Sequence, residues 1–274
     1  MAINLAAKAS PKVLERFTKR SVTEGLFNTK YSWDGVATVK VYTTDLLTLN
    51  DYDKTSVSGS RFGALTEIGD TVQEMTVTDD KAFNGSIDKG NNTAQLMIKA
   101  ASRILKENTD NVLIPYVDKY RLAKLAEGAG TKMAKVALTK SNVIETLMKA
   151  KAAMMNENVP GDNIVCYMGY TNAVNLKLAD QVVGAEKLAI DSVVNGEAGV
   201  IDGMHMVFVP DSYMPEGINY LIVRRGAACA PTKVQTYRIL EEHPDIDGHV
   251  VQGRLLHDCF VLNTHAKAVC TDAG

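Results

Sequence analysis

Three patterns of apolar and polar residues succeed one another along this 274-residue chain, and each predicts a different kind of element. Near the start, apolar residues alternate with polar ones. Ala37, Val39 and Val41 point one way while Thr38, Lys40 and Tyr42 point the other, which predicts a strand within residues 33–49. The stretch from Asn50 to Ser60 has no period and is rich in turn formers. A second strand is predicted over Thr71–Thr78. The simplest assembly is one long antiparallel hairpin with its tip around residues 50–63. A two-stranded ribbon is marginal in water by itself, so the hairpin should be held by something outside it, either the body or another subunit.

The second pattern is helical. Met97, Ala101, Ile104, Asn108, Val112, Tyr116, Tyr120 and Ala123 recur at steps of three and four, predicting a helical segment over 91–127. Asn91, Asn92 and Thr93 offer N-caps and Gly128 offers a stop. Such a helix would reach roughly 50 Å at ~1.5 Å per residue, with Pro115 kinking or dividing it. A second helix is predicted over about 141–157, with Ser141 as its cap and Val143, Leu147, Ala150 and Met154 for packing. Before both, a short helix after Pro11 carries too few apolar residues, among them Phe17 and Phe27, to close a core alone.

The third pattern is unbroken apolar runs from residue 159 onward. Asn163–Met168, His205–Val209 and Asn219–Val223 read as strands, and Asn172–Ala179 as a short helix. Pro215-Glu-Gly217 suits a type I turn. Residues 233–240 and 249–270 supply the last strands, with Asp247-Gly248 as a hairpin signal. No period of 20–50 residues recurs. The fold class is α+β, with an arm and a protruding hairpin.

Composition adds one feature. With 46% apolar and 23% charged residues and a net charge of −2, the chain is ordinary globular material without a basic field for nucleic acid. Charge is nevertheless uneven. Residues 1–30 carry six Lys/Arg and two Asp/Glu, net +4, whereas residues 31–90 carry five and ten, net −5. No apolar stretch approaches the ~20 residues of a membrane span, and the N-terminus is a poor signal peptide. The expectation is a soluble, intracellular chain with no membrane partner.

Candidate chemistry is thin. Cys166, Cys229, Cys259 and Cys270 include no C-x-x-C pair and are expected as reduced, buried thiols. His257 and Cys259 would share one face of a strand, the least that a Cys–His dyad needs, but no oxyanion hole or positioning carboxylate is in view. Asp51-Tyr-Asp53 opens like a calcium loop but lacks its glycine and its bidentate Glu. Gly128-Ala-Gly130 lacks the third glycine of a dinucleotide fingerprint. The expectation is no enzyme, no catalytic residue, no cofactor and no metal.

The order of elements resembles a known family. A basic arm, a long acidic hairpin, a spine-like helix, a mixed central domain and a terminal strand set are similar to the tailed-bacteriophage major capsid protein of Hong Kong 97-type fold. Local pieces carrying the likeness are Asp88-Lys-Gly-Asn-Asn-Thr, Ile114-Pro-Tyr-Val-Asp-Lys-Tyr-Arg, Val200-Ile-Asp-Gly-Met-His-Met-Val-Phe-Val-Pro and Ala230-Pro-Thr-Lys-Val-Gln-Thr-Tyr-Arg-Ile. The resemblance implies an N-terminal arm at 1–30, an extended loop at 31–90, a peripheral domain at 91–140 and 233–274, and an axial domain at 141–232. It further implies hexamers and pentamers that close into an icosahedral virion shell around double-stranded DNA, without sequence-specific binding, in the bacterial host cytoplasm. The hairpin would lie across a neighbouring subunit, with the +4 arm and the −5 hairpin attracting one another.

Other expectations follow from the same resemblance. Because the chain reaches the arm soon after Met1, a separate scaffolding protein is expected, with a portal and a decoration protein as further partners. Lys–Asn crosslinks of some relatives are not expected: Lys40, Lys54 and Lys81 lie in or beside the hairpin, but no asparagine and buried carboxylate were identified for them. Subunit contacts are expected at Phe17 and Phe27 on the arm, Trp33 at the hairpin base, and Arg61 and Phe62 near its tip. The alternatives are an encapsulin-like nanocompartment shell, a thiol enzyme using Cys259 and His257, and another virion component of the tail or decoration kind.

Overall fold

The computed structural model describes residues 21–29, 38–55, 60–94, 100–179, 199–241, 244 and 246–272. The chain divides into two compact units, Trp33–Thr76 and the remainder, Met1–Ser32 with Val77–Gly274.

The smaller unit is the hairpin. Strands β1 (Thr38–Thr44) and β2 (Asp70–Thr76) pair antiparallel without a register shift, from Thr38 opposite Thr76 to Thr44 opposite Asp70. The predicted alternation is present: Val39 and Val41 are half-buried, while Lys40 and Tyr42 are exposed. Cross-strand pairs finish the polar face, with the Thr38 and Thr76 hydroxyls 2.7 Å apart and Lys40 Nζ 2.5 Å from Glu74. The ladder stops at Thr44, so the connection is 45–69, longer than the expected tip at 50–63. Leu46-Leu47-Thr48-Leu49 does not alternate and has no strand pattern opposite it. Side chains and scattered backbone bonds order this connection instead. Asp45 N–H donates to Gly69 O and Asp53 N–H to Arg61 O, and the Asp53 carboxylate accepts both Thr55 N–H and Oγ1–H. That turn occupies the aspartate which resembled a calcium ligand.

The body begins with β3 (Asp79–Asp88), a ten-residue strand that the hairpin reading had absorbed into the loop of 31–90. It pairs instead with β11 (Gly248–His257) of a three-stranded antiparallel sheet in which β11 lies between β3 and β10 (Thr232–Leu240). A helical series follows: α1 (Lys89–Ala94), α2 (Ala101–Asn108), a π-helical turn (Thr109–Leu113) and α3 (Ile114–Glu127). Asp88 Oδ1 accepts the Asn91 N–H, so the cap of α1 is Asp88 and not the Asn-Asn-Thr that follows. Pro115 stands in the first turn of α3, directly after the π turn. The wider turn takes up the residue that has no N–H to give, and helix continues without a break from 101 to 127.

After β4 (Thr131–Lys132) comes α4 (Val143–Asn156), whose N-cap is Asn142 rather than Ser141. The Asn142 amide side chain is engaged behind the helix, accepting from Thr139 N–H and donating to Ala137 O. Next are β5 (Ile164–Gly169), α5 (Tyr170–Lys177), β6 (Val200–Ile201), β7 (Met204–Val209) and β8 (Tyr220–Arg224). Gly217 has φ +81 and the Ile218 N–H reaches Pro215 O, so the turn is type II and not type I; only glycine takes that third position at no cost. The chain closes with β9 (Ala228–Cys229), β10 (Thr232–Leu240), β11 (Gly248–His257), β12 (Phe260–Val261) and β13 (Val269–Thr271).

A six-stranded mixed sheet, ordered β4–β13–β8–β5–β7–β6, forms the middle layer. Alternate residues of β5 enter two different cores. Ile164, Cys166 and Met168 pack with Leu147 and Met154 of α4 and Leu176 of α5, whereas Val165 and Tyr167 pack with Leu122 and Leu125 of α3. Burial on both faces explains why these strands read as unbroken apolar runs. Leu26, near the end of the arm, belongs to the second core, and there the arm gains the surface that its few apolar residues needed.

Candidate assembly surface

The uncovered apolar surface is concentrated in the hairpin. Seventeen large apolar side chains are exposed among the described residues, and nine of them lie between Tyr42 and Val72. Leu46 is 94% exposed, Leu49 101% and Leu65 102%. A cluster of exposed leucines of this kind is a candidate surface for association, because burying one is worth about 1.5–3 kcal/mol. The hairpin is also acidic: Asp45, Asp51, Asp53, Glu67, Asp70 and Glu74 stand against Lys40, Lys54 and Arg61 among its described residues.

Of the five contact residues expected from sequence, Phe17 and Trp33 lie outside the described residues. Arg61 and Phe62 are exposed in the connection, Phe62 78% so, with its ring 5.0 Å from that of Tyr52 in an edge-on pair. Phe27 does not fit the reasoning from exposure. It is half-buried against the body's second core, with the Arg121 guanidinium 5.1 Å over its ring. Sequence reasoning missed Leu46, Leu49, Leu65 and Ile68, four of the nine exposed apolar side chains there. For Leu46 and Leu49 the signal was available: an apolar run, Leu46-Leu47-Thr48-Leu49, that fits neither strand alternation nor a helical face.

The segment before the hairpin is fastened to the body by a buried carboxylate. Asp118 of α3 accepts Ser21 Oγ–H at 2.7 Å, Val22 N–H at 2.9 Å and Thr23 Oγ1–H at 2.6 Å. A second carboxylate fastens the residues just after it. Asp258 accepts Thr78 N–H and Oγ1–H, Tyr120 Oη–H and Cys259 N–H, all at 2.8–3.0 Å. Asp79 beside it accepts Tyr116 Oη–H at 3.0 Å. His257 sits between these groups, its Nε2 2.9 Å from the Asp79 carboxylate but out of line for a hydrogen bond.

The thiol-dyad alternative meets an obstacle here. Strand β11 ends at His257, so the alternation that would set His257 and Cys259 on one face stops there. All four cysteines are buried. Burial pushes the Cys229 and Cys270 thiols up to about 12, and the Cys259 thiol above its ordinary range despite the Arg121 charge nearby. A nucleophilic thiol needs the opposite shift. Among the described residues no group of three or more His, Cys, Asp or Glu is placed to hold a metal, and no helix is long and apolar enough to cross a membrane.

No family model matches the chain, and no curated protein matches it. Solved structures do. A chain from Mycobacterium phage Che8 superimposes with a TM-score of 0.79 at 15% identity, over 99% of this chain and 98% of that one. A capsid chain of the Cyanophage P-SCSP1u gives 0.75 at 15% identity, over 97% and 91%. The fold is the Hong Kong 97-type capsid fold. A virus-like particle from Pyrococcus furiosus shares it more distantly, with a TM-score of 0.57 at 10% identity over 92% and 91%. In this Hong Kong 97-type chain the residues held by the two buried carboxylates, Ser21–Thr23 by Asp118 and Thr78 by Asp258, thus bracket the exposed hairpin in sequence. The hairpin presents the leucines that the chain's own two cores leave out.

Proposed function

We propose that this chain is the major capsid subunit of a tailed bacteriophage. In this reading it assembles as hexamers and pentamers into the icosahedral head that encloses double-stranded DNA. The observation that carries the proposal is the uncovered, leucine-rich hairpin on a Hong Kong 97-type body. A ribbon with fully exposed leucines and seven ladder residues per strand gains its stability from a neighbouring subunit. Repeated apolar burial around a shell supplies most of the assembly free energy, since exposed ion pairs between the basic arm and the acidic hairpin add only about 0.2–1 kcal/mol each.

The role is structural and the location is the virion. The proposed domain division is the arm at 1–30, the extended loop at 31–90 less the β3 residues 79–88 that pair with β11 in the body, the peripheral domain at 91–140 with 233–274, and the axial domain at 141–232. Partners in this reading are further copies of the chain, a separate scaffolding protein, a portal and a decoration protein. No Lys–Asn crosslink is proposed: Lys40 is paired with Glu74, and Lys81 with Asp79 of the same chain. A denaturing gel of mature particles is expected to show single subunits, and covalent ladders would overturn this.

The deciding experiment is size-exclusion chromatography with negative-stain microscopy on the chain expressed alone and with a candidate scaffolding protein. Closed shells, or rings of five and six, are the expected products. An inert monomer under both conditions would overturn the reading. The encapsulin-like alternative rests on the likeness to the Pyrococcus furiosus particle and is separated by contents: co-purified nucleic acid supports a phage head, folded protein cargo a nanocompartment.

A further inference from the structure

The sheets of the body end in very different edges. The six-stranded sheet stops at β4 on one side and β6 on the other, two residues each, and the β9–β12 pair is equally short. Edges that short give another chain little to pair with. The three-stranded sheet instead ends in β3, ten residues long, and β10, nine residues long. Charge guards β3, which carries Asp79, Asp80, Lys81 and Asp88. The guards of β10 stand at one end only, as a bulge between Thr232 and Val234 with Lys233 inside it.

Beyond the bulge, the ladder to β11 runs without a shift from Val234 to Leu240. That run contains no proline and no lysine. Its one charge, Arg238, donates from Nε to Gln252 Oε1 at 2.6 Å and so turns back over its own sheet. Gln235, Thr236, Arg238 and Ile239 are exposed. Among the described residues, no backbone hydrogen bond reaches this run from the side away from β11. Every second residue there presents an N–H and a C=O to solvent, which is the surface that strand addition uses.

Length, parity and charge together select the partner, and β10 fits itself. In an antiparallel pair, residues directly opposite have their backbone groups pointing the same way, both toward the partner or both away. A two-fold axis between two copies of one strand must therefore pass through a residue. An axis through Arg238 sets that cation opposite its own copy, which is unfavourable. An axis through Thr236 runs the new ladder through the bulge. Tyr237 is the midpoint of the regular run, so an axis there pairs all of it, with Thr236 opposite Arg238 and Gln235 opposite Ile239. The same register sets Lys233 of each copy opposite the exposed Glu241 of the other, just past the two ends.

We propose that β10 pairs antiparallel with β10 of a second copy about a two-fold axis through Tyr237, joining two three-stranded sheets into one. A ring of five or six closes through head-to-tail contacts, whereas a self-complementary contact joins one ring to the next. The pairing rests on the edge of β10, and the shell reading only says where the two copies belong.

The test uses full-length chains with single cysteines, Thr236→Cys and Arg238→Cys, oxidised mildly both as concentrated chains and as assembled particles. Both positions are exposed, and the four native cysteines are buried. The mixture of the two variants is expected to give a dimer on a non-reducing gel that reductant dissolves, and neither variant alone should. Lys233→Glu is expected to lower the crosslinked fraction roughly threefold, and adding Glu241→Lys to restore it; a folding defect would show no such rescue. A dimer from Thr236→Cys alone, or from Arg238→Cys alone, would move the axis off Tyr237 and overturn the proposal. So would a mixture that yields no dimer in any form; shells or rings made by the same chains would then leave the shell reading standing. Dimers from a mixture that builds neither shells nor rings would support the pairing and remove the shell reading.

Discussion

Asp258 shows how one side chain can fasten distant parts of this chain. Its carboxylate accepts from Thr78, 180 residues away, from Tyr120, 138 away, and from its own neighbour Cys259. Replacing it with alanine strands four buried or half-buried donors, and each stranded donor costs about 1–3 kcal/mol less whatever water recovers. Asp258→Ala is therefore expected to lower stability by roughly 2–4 kcal/mol in a denaturant titration. A loss below ~1 kcal/mol would mean that the network is solvated in solution. His257 beside it gives a pH signature. Desolvation lowers its pKa below the ordinary value, so the unfolded chain takes up a proton that the folded chain refuses. Its contribution is complete above the unfolded pKa of about 6.5 and is lost as pH falls through the folded value. The melting point of His257→Gln should fall less than that of the native chain between pH 7.5 and pH 5.5. Equal falls would place the acid sensitivity elsewhere. None of this was legible in the sequence, where Asp258 was only the residue between His257 and Cys259.

Elements were legible where their periodicity came from burial, and less so where a single close approach decided their ends. Gly128 stops the spine helix as the sequence suggests, but not through the left-handed conformation usual for a capping glycine, since its φ is −82. Space is the reason instead: a Cβ there would stand 2.6 Å from the Val261 side chain. Gly130 is equally close but faces backbone, since a Cβ would meet the Ala266 carbonyl carbon at 2.6 Å. Gly253 lies under the Phe83 ring, 2.3 Å from where its Cβ would be. A ring can swing and a backbone cannot. Gly130→Ala is thus expected to cost about 1–3 kcal/mol and Gly253→Ala less, and a reversed order in thermal melts would refute that account. The helical stripe was also only half right. Tyr116 and Tyr120 face the Asp79–His257–Asp258 cluster, Val112 is exposed, and the side chains buried in α3 are Asp118, Leu122, Leu125 and Ala126. Spacing identifies a face but not which layer that face meets.

For the whole molecule, the decisive property is that its apolar surface is divided between two cores and a hairpin that belongs to neither. Leu46→Ser, Leu49→Ser and Leu65→Ser combined should leave the melting point of the unassembled chain unchanged within error, because exposed side chains contribute within about 0.5 kcal/mol to their own fold. The same triple variant should form no shells or rings under the microscope; shells of normal yield would remove the hairpin from the assembly. By itself the sequence determined the strand pair, the helical series, the mixed α+β class and the acidic hairpin on a near-neutral body. These depend on local periodicity and on charge that is written residue by residue. Only the tertiary structure decided that residues 79–88 join β11 and not the hairpin, and that Phe27 turns inward under Arg121. It also decided that Arg121 and His257 meet in one cleft. Strand partners and buried polar contacts join residues more than 100 positions apart, and a linear pattern carries no record of which distant surface a side chain meets.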